Sequence, residues 1–155
     1  MKRSDSKTSG RGFFAVGVYR PKREVNIGTL FRSAAIFGAA YTFTVAGRYQ
    51  HQSSDTMKCW RHMPHFDYES LAAFNAAQPH DARLIGIELT DSAIPLASFS
   101  HPRSAVYLLG AEDSGLPPDI LAACHHVLAL PGDHSLNVAV AGSIVLYDRV
   151  VRTSR

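Results

Sequence analysis

Cysteine is scarce in this chain: two residues, Cys59 and Cys124, in 155. That count excludes a disulfide framework and points to reduced thiols. Long apolar runs are missing as well. No stretch approaches the roughly 20 apolar residues of a membrane-spanning helix, and Met1 to Gly10 is polar rather than signal-like. The expectation is a cytoplasmic protein with no membrane partner. Internal repeats and low-complexity linkers are absent, which argues against a repeat array. No phosphate-cradling glycine loop follows the first apolar segment, where Tyr19-Arg20-Pro21-Lys22 stands instead. A flavodoxin-like nucleotide binder would need one.

What is present is an ordinary globular composition, 46% apolar and 19% charged. The length suits one domain with a real core. We therefore expect a basic N-terminal arm over residues 1–10 and a single domain over 11–155. The net charge of +3 conceals a division. Residues 1–48 hold nine Lys/Arg against Asp5 and Glu24, whereas the remainder holds seven against eleven. Such segregation suggests a face for a polyanion such as RNA. Arg11, Arg20, Lys22, Arg23 and Arg48 are the candidate phosphate contacts.

Along the chain, Phe13–Tyr19, Tyr41–Ala46, Arg83–Leu89, Ala105–Leu109 and His126–Leu130 read as strands. Helices are expected over Ile27–Phe37 with Asn26 as N-cap, near Tyr68–Ala77, over Pro118–Cys124 and over Asn137–Val151. Residues 47–65 read as a long polar loop. Alternating strands and helices imply an α/β fold, a mostly parallel sheet with helices on both faces. In such sheets ligands sit beyond the C-terminal ends of strands. Three ends are distinctive: Leu89-Thr90, Gly110-Ala111-Glu112 and Leu130-Pro131.

Three segments carry the chemistry. In Asn26-x-Gly28-x3-Arg32, Arg32 falls off the apolar stripe of its helix, where a phosphate or carboxylate is within reach; a plain surface arginine would look the same. In Gly110-x-Glu112-x2-Gly115-Leu-Pro, a buried strand runs into turn chemistry. Gly110 there can expose backbone to a flat ligand, and Glu112 can fix the loop by accepting backbone hydrogen bonds. In Ser135-Leu136-Asn137-Val138, a hydroxyl and an amide open a helix of small residues. Cys59-x2-His62-x2-His65 and Cys124-His125-His126 offer soft ligands, but fit no strong zinc pattern. Trp60, Met63 and Pro64 beside the first set suggest packing, and no metal is expected.

The ordered set of three segments resembles the motifs of the SpoU (TrmH-type) RNA ribose 2'-O-methyltransferases of the SPOUT superfamily, over most of residues 12–152. The resemblance implies S-adenosyl-L-methionine as methyl donor, a C-terminal trefoil knot, a homodimer, and methylation of a ribose 2'-hydroxyl in tRNA or rRNA. It puts Leu89, Gly110, Leu130, Ser135 and Leu136 at cofactor positions and Arg32 at the catalytic arginine. Asn26, Glu112, Ser135 and Asn137 match the family's other functional polar positions. Only Gly132, Asp133 and His134 separate Pro131 from Ser135, a shorter loop than in well-studied members. A non-catalytic RNA-binding protein that keeps the fold is the alternative.

Overall fold

A computed structural model describes residues 12–50 and 57–153. Seven strands form one sheet in which every pairing is parallel. They are β1 (Phe13–Tyr19), β2 (Tyr41–Val45), β3 (His65–Tyr68), β4 (Arg83–Ile87), β5 (Ile94–Pro95), β6 (Ser104–Leu109) and β7 (His126–Ala129). Their spatial order is β3-β2-β1-β6-β4-β7-β5. The helices are α1 (Glu24–Phe37), α2 (Leu71–Ala77), α3 (Pro118–Ala123) and α4 (Val138–Thr153).

The central strands are apolar on both faces, which forces helices onto both sides. Phe14, Val16 and Val18 of β1 and Tyr107 and Leu109 of β6 join one core with residues of α1 and α4. Ala15, Val106 and Leu108 point the other way, into a second core with Phe74 of α2 and Ile120 of α3. Helices α1 and α4 approach closely because of Gly142. A Cβ there would lie 2.3 Å from Leu30 Cδ1. The far end of α4 is pinned by Arg149, 1% exposed, which donates to the carbonyls of Pro102 (2.7 Å) and Arg103 (2.9 Å).

Several expectations shift. Helix α1 starts at Glu24, three residues early, with Arg23 at its N-cap position and no side-chain cap. Asn26 sits inside the first turn, its amide engaged elsewhere. The 47–65 segment ends in a strand, β3, that pairs with β2. Its side chains are not apolar enough to announce it: His65 and Tyr68 are half-buried, and Phe66 and Asp67 exposed. The two-residue β5 contains a proline and is too short for the sequence to show a strand period. Beside Cys59, His62 and His65, Met63 does pack inside, but Trp60 is 44% exposed. Among the described residues no group of three His, Cys, Asp or Glu side chains could hold a metal ion. Nor is any described helix long and apolar enough to cross a membrane.

Candidate functional site

Strands β6, β4 and β7 lie side by side, so their C-terminal ends open onto one place. There the chain leaves a cavity of about 260 Å³. Its walls include Glu88 and Leu89 after β4, the Gly110–Gly115 loop after β6, Leu130 and Pro131 after β7, and Ser135 and Leu136 before α4. All five residues expected at cofactor positions, Leu89, Gly110, Leu130, Ser135 and Leu136, therefore meet around one space. Leu89 and Leu136 are each 46% exposed at its rim, large apolar side chains without a cover. Val138, Leu128 and Ala141 make the floor apolar. The volume is near the lower end of small-molecule sites and takes an adenosine-sized group. Apolar walls with a few backbone and hydroxyl groups suit a flat heterocycle carrying a ribose.

The Gly110–Gly115 loop is folded tightly on itself. A Cβ on Gly110 would stand 2.3 Å from the Gly115 carbonyl carbon and 2.5 Å from Leu116 N, so no side chain fits there. Ala111 and Gly115 bridge, with Gly115 N donating to Ala111 O at 2.9 Å. The carboxylate that fixes this loop is Glu88. Its Oε2 accepts from Leu116 N at 2.8 Å and its Oε1 from Leu89 N at 3.1 Å. One side chain thus ties the end of β4 to the end of the β6 loop. From the sequence, that task is expected of Glu112. The overlooked signal is an acid directly after an apolar strand, at a strand end already marked as distinctive.

Glu112, at the cavity wall, accepts instead from the Asn26 side-chain amide. Arg23 Nε lies 3.4 Å from its other oxygen. Lys22 pairs with Asp113, whose carboxyl is held below the usual range by that hydrogen bond. The first turn of α1 is thereby laced to the cavity loop. Asn26 and Glu112, 86 residues apart, are in contact. Lys22 and Arg23, expected to face phosphates, have acidic neighbours that offset part of their charge. Arg20 and Arg48 are exposed, and Arg11 lies outside the described residues. Asn137 caps α4, its Oδ1 accepting from Ala139 N at 2.9 Å.

Arg32 stands apart from these. It is exposed, as its place off the α1 stripe implies, but it is not among the cavity-lining residues. It lines a second, shallow cleft with Phe31, Tyr49, Trp60 and His65.

The family model described as "SpoU rRNA Methylase family" matches residues 14–147. The chain is 25% identical over 148 residues to a tRNA (cytidine(34)-2'-O)-methyltransferase of Ancylobacter novellus, covering 90% of this chain and 92% of that one. It is 26% identical over 137 residues to a mouse tRNA (guanosine(18)-2'-O)-methyltransferase, covering 81% of this chain but spanning only 8% of that much longer protein. A solved structure described under the 2-OH methylation of C/U34 on tRNA superposes with a TM-score of 0.79 at 25% identity, over 96% of this chain and 95% of that one.

Proposed function

Since the chain belongs to the SpoU rRNA Methylase family, we propose that it transfers a methyl group from S-adenosyl-L-methionine to a ribose 2'-hydroxyl of RNA, acting as a homodimer. The observation that carries this reading is the cavity where β4, β6 and β7 end, lined by all five residues that the family resemblance assigns to the cofactor. A relative of matching length is named for tRNA, so tRNA is the substrate class to test first. A cytoplasmic location and the C-terminal knot belong to the same reading.

The methyl donor, when bound, supplies a methyl group already activated for transfer. The chain's residues must hold it, bring a ribose oxygen into line and remove a proton. Backbone around Gly110 and Leu130, with Leu89 and Leu136, would clamp the heterocycle, and Ser135 would hold a polar part. Arg32 would hold an RNA phosphate and stabilise charge developing on the ribose oxygen. A guanidinium stays protonated near neutrality, so the proton goes to phosphate or water rather than to Arg32. Glu112, held by Asn26 and Arg23, and Asn137, at the start of α4, would orient the ribose side of the site.

The homodimer rests on an apolar stripe. Val140, Ile144, Tyr147 and Val151 recur along one face of α4 and are 39–58% exposed, with Ile36 of α1 at 55%. This face begins beside the cavity floor, where Val138 and Ala141 lie. An interface there would abut the cavity and is a route by which a second protomer's Arg32 reaches it. Purified protein should bind S-adenosyl-L-methionine by calorimetry and label tRNA with its methyl group. A non-catalytic RNA-binding protein would show neither.

A further inference from the structure

The second cleft has a feature that methyl transfer does not by itself use. Trp60, the chain's one tryptophan, projects from a single 3-10 turn, Cys59–Arg61. Cys59 and Met63, 7% and 6% exposed, anchor that turn in the core, while Trp60 stays 44% exposed. The wall behind it is well braced. Phe31 meets Tyr49 edge-on with ring centres 5.1 Å apart, and the His65 ring is 5.1 Å from Phe31. His65 Nδ1 lies 3.0 Å from Thr42 Oγ1, and its Nε2 lies 2.9 Å from Asp67 Oδ1. Asp67 Oδ1 also accepts from Thr44 Oγ1 at 2.5 Å. The turn itself brings positive charge: Lys58 precedes it, and the Arg61 guanidinium lies 5.1 Å from the indole centre. Arg32 lines the same cleft.

The space inside the cleft is about 20 Å³. That admits one water and no ring. A flat ligand must therefore lie on the exposed indole rather than enter. An exposed aromatic with cations around it and a fixed wall behind it matches the way proteins hold unpaired nucleotides, by stacking on bases and pairing with phosphates. We propose that Trp60 is a stacking platform for a nucleobase of the RNA substrate, next to the ribose that Arg32 serves, with Arg61 and Lys58 on the flanking phosphates. This rests on RNA being the substrate. It adds a base-recognition element to a site whose assigned residues all concern the cofactor, ribose or phosphate.

Because the chain holds a single tryptophan, protein fluorescence reports on Trp60 directly. Titration of the wild-type protein with transcribed tRNA should quench the emission, while S-adenosyl-L-methionine alone and heparin, a polyanion without bases, should leave it nearly unchanged. Trp60→Ala should raise the KM for tRNA about tenfold. Its kcat at saturating RNA and its cofactor affinity should stay within twofold of wild type, and Trp60→Phe should recover most of the loss. The proposal is overturned if tRNA leaves the emission unchanged, if heparin quenches equally, or if Trp60→Ala has a normal KM. It also fails if emission changes on diluting the protein without RNA, since the occupant is then a second copy. The fluorescence arm needs no turnover. A wild-type protein that is quenched by tRNA but transfers no methyl group refutes the enzymatic reading and leaves the platform standing.

Discussion

Removing the Glu88 carboxylate tests whether one side chain holds the cavity together. In Glu88→Ala, Leu89 N and Leu116 N lose their acceptor. Leu89 is 46% exposed, so its N–H finds water at little cost. Leu116 is 5% exposed, and its stranded N–H costs about 1–3 kcal/mol. For a chain of this size each kcal/mol moves the midpoint by about 2–4 °C, so Tm should fall by roughly 2–12 °C. If cofactor binding restores the native loop, that ordering is drawn from the binding energy. At about 1.4 kcal/mol per tenfold, the dissociation constant should rise about 5- to 150-fold. Calorimetry with S-adenosyl-L-methionine and a thermal melt on one preparation measure both. A variant with wild-type affinity would refute the claim that Glu88 sets the loop.

Arg32→Ala should abolish methyl transfer while leaving cofactor affinity within a few-fold, as steady-state labelling and calorimetry would record; near-normal turnover contradicts the role given to Arg32. Tyr147→Glu puts a charge into the α4 stripe, where Tyr147 is 58% exposed. It should yield a monomer by sedimentation and lose at least tenfold in methyl transfer, and a dimer of normal activity would remove the stripe from the interface. His101, its side chain 1% exposed, lies 2.6 Å from Tyr107 OH and 2.8 Å from Asp148 Oδ2. Burial holds its pKa below the ordinary 6.5, against the opposing pull of Asp148. The unfolded chain then binds the proton more readily, so this contribution is full above 6.5 and declines as pH falls toward the folded value. Melts from about pH 8 to about pH 5 should therefore steepen below 6.5 in the wild type and flatten in His101→Gln; identical slopes would refute this.

The apolar strands and the three polar strand ends were legible because burial on both faces leaves a continuous run such as Phe14 to Val18. Edge strands were not. His65 and Asp67 of β3 carry hydrogen bonds instead of apolar surface, and β5 is too short to show a period. Leu89, Gly110, Leu130, Ser135 and Leu136, which the family resemblance groups together, meet around one cavity. Contacts between distant segments were not legible. Nothing in Asn26 announces Glu112, to which its amide nitrogen donates, and the helix begins two residues before Asn26, so the N-cap position falls on Arg23. Arg32 could be placed on the exposed side of α1, but its separation from the cavity is visible only in three dimensions.

The central claim is ribose methylation by a cofactor held where β4, β6 and β7 end. A methylated 2'-oxygen cannot attack the neighbouring phosphate, so alkali leaves the adjoining linkage intact. Transcribed tRNA incubated with the protein and methyl-labelled S-adenosyl-L-methionine should, after alkaline hydrolysis, carry its label in resistant dinucleotides. Label released in mononucleotides, or no label at all, would contradict the account.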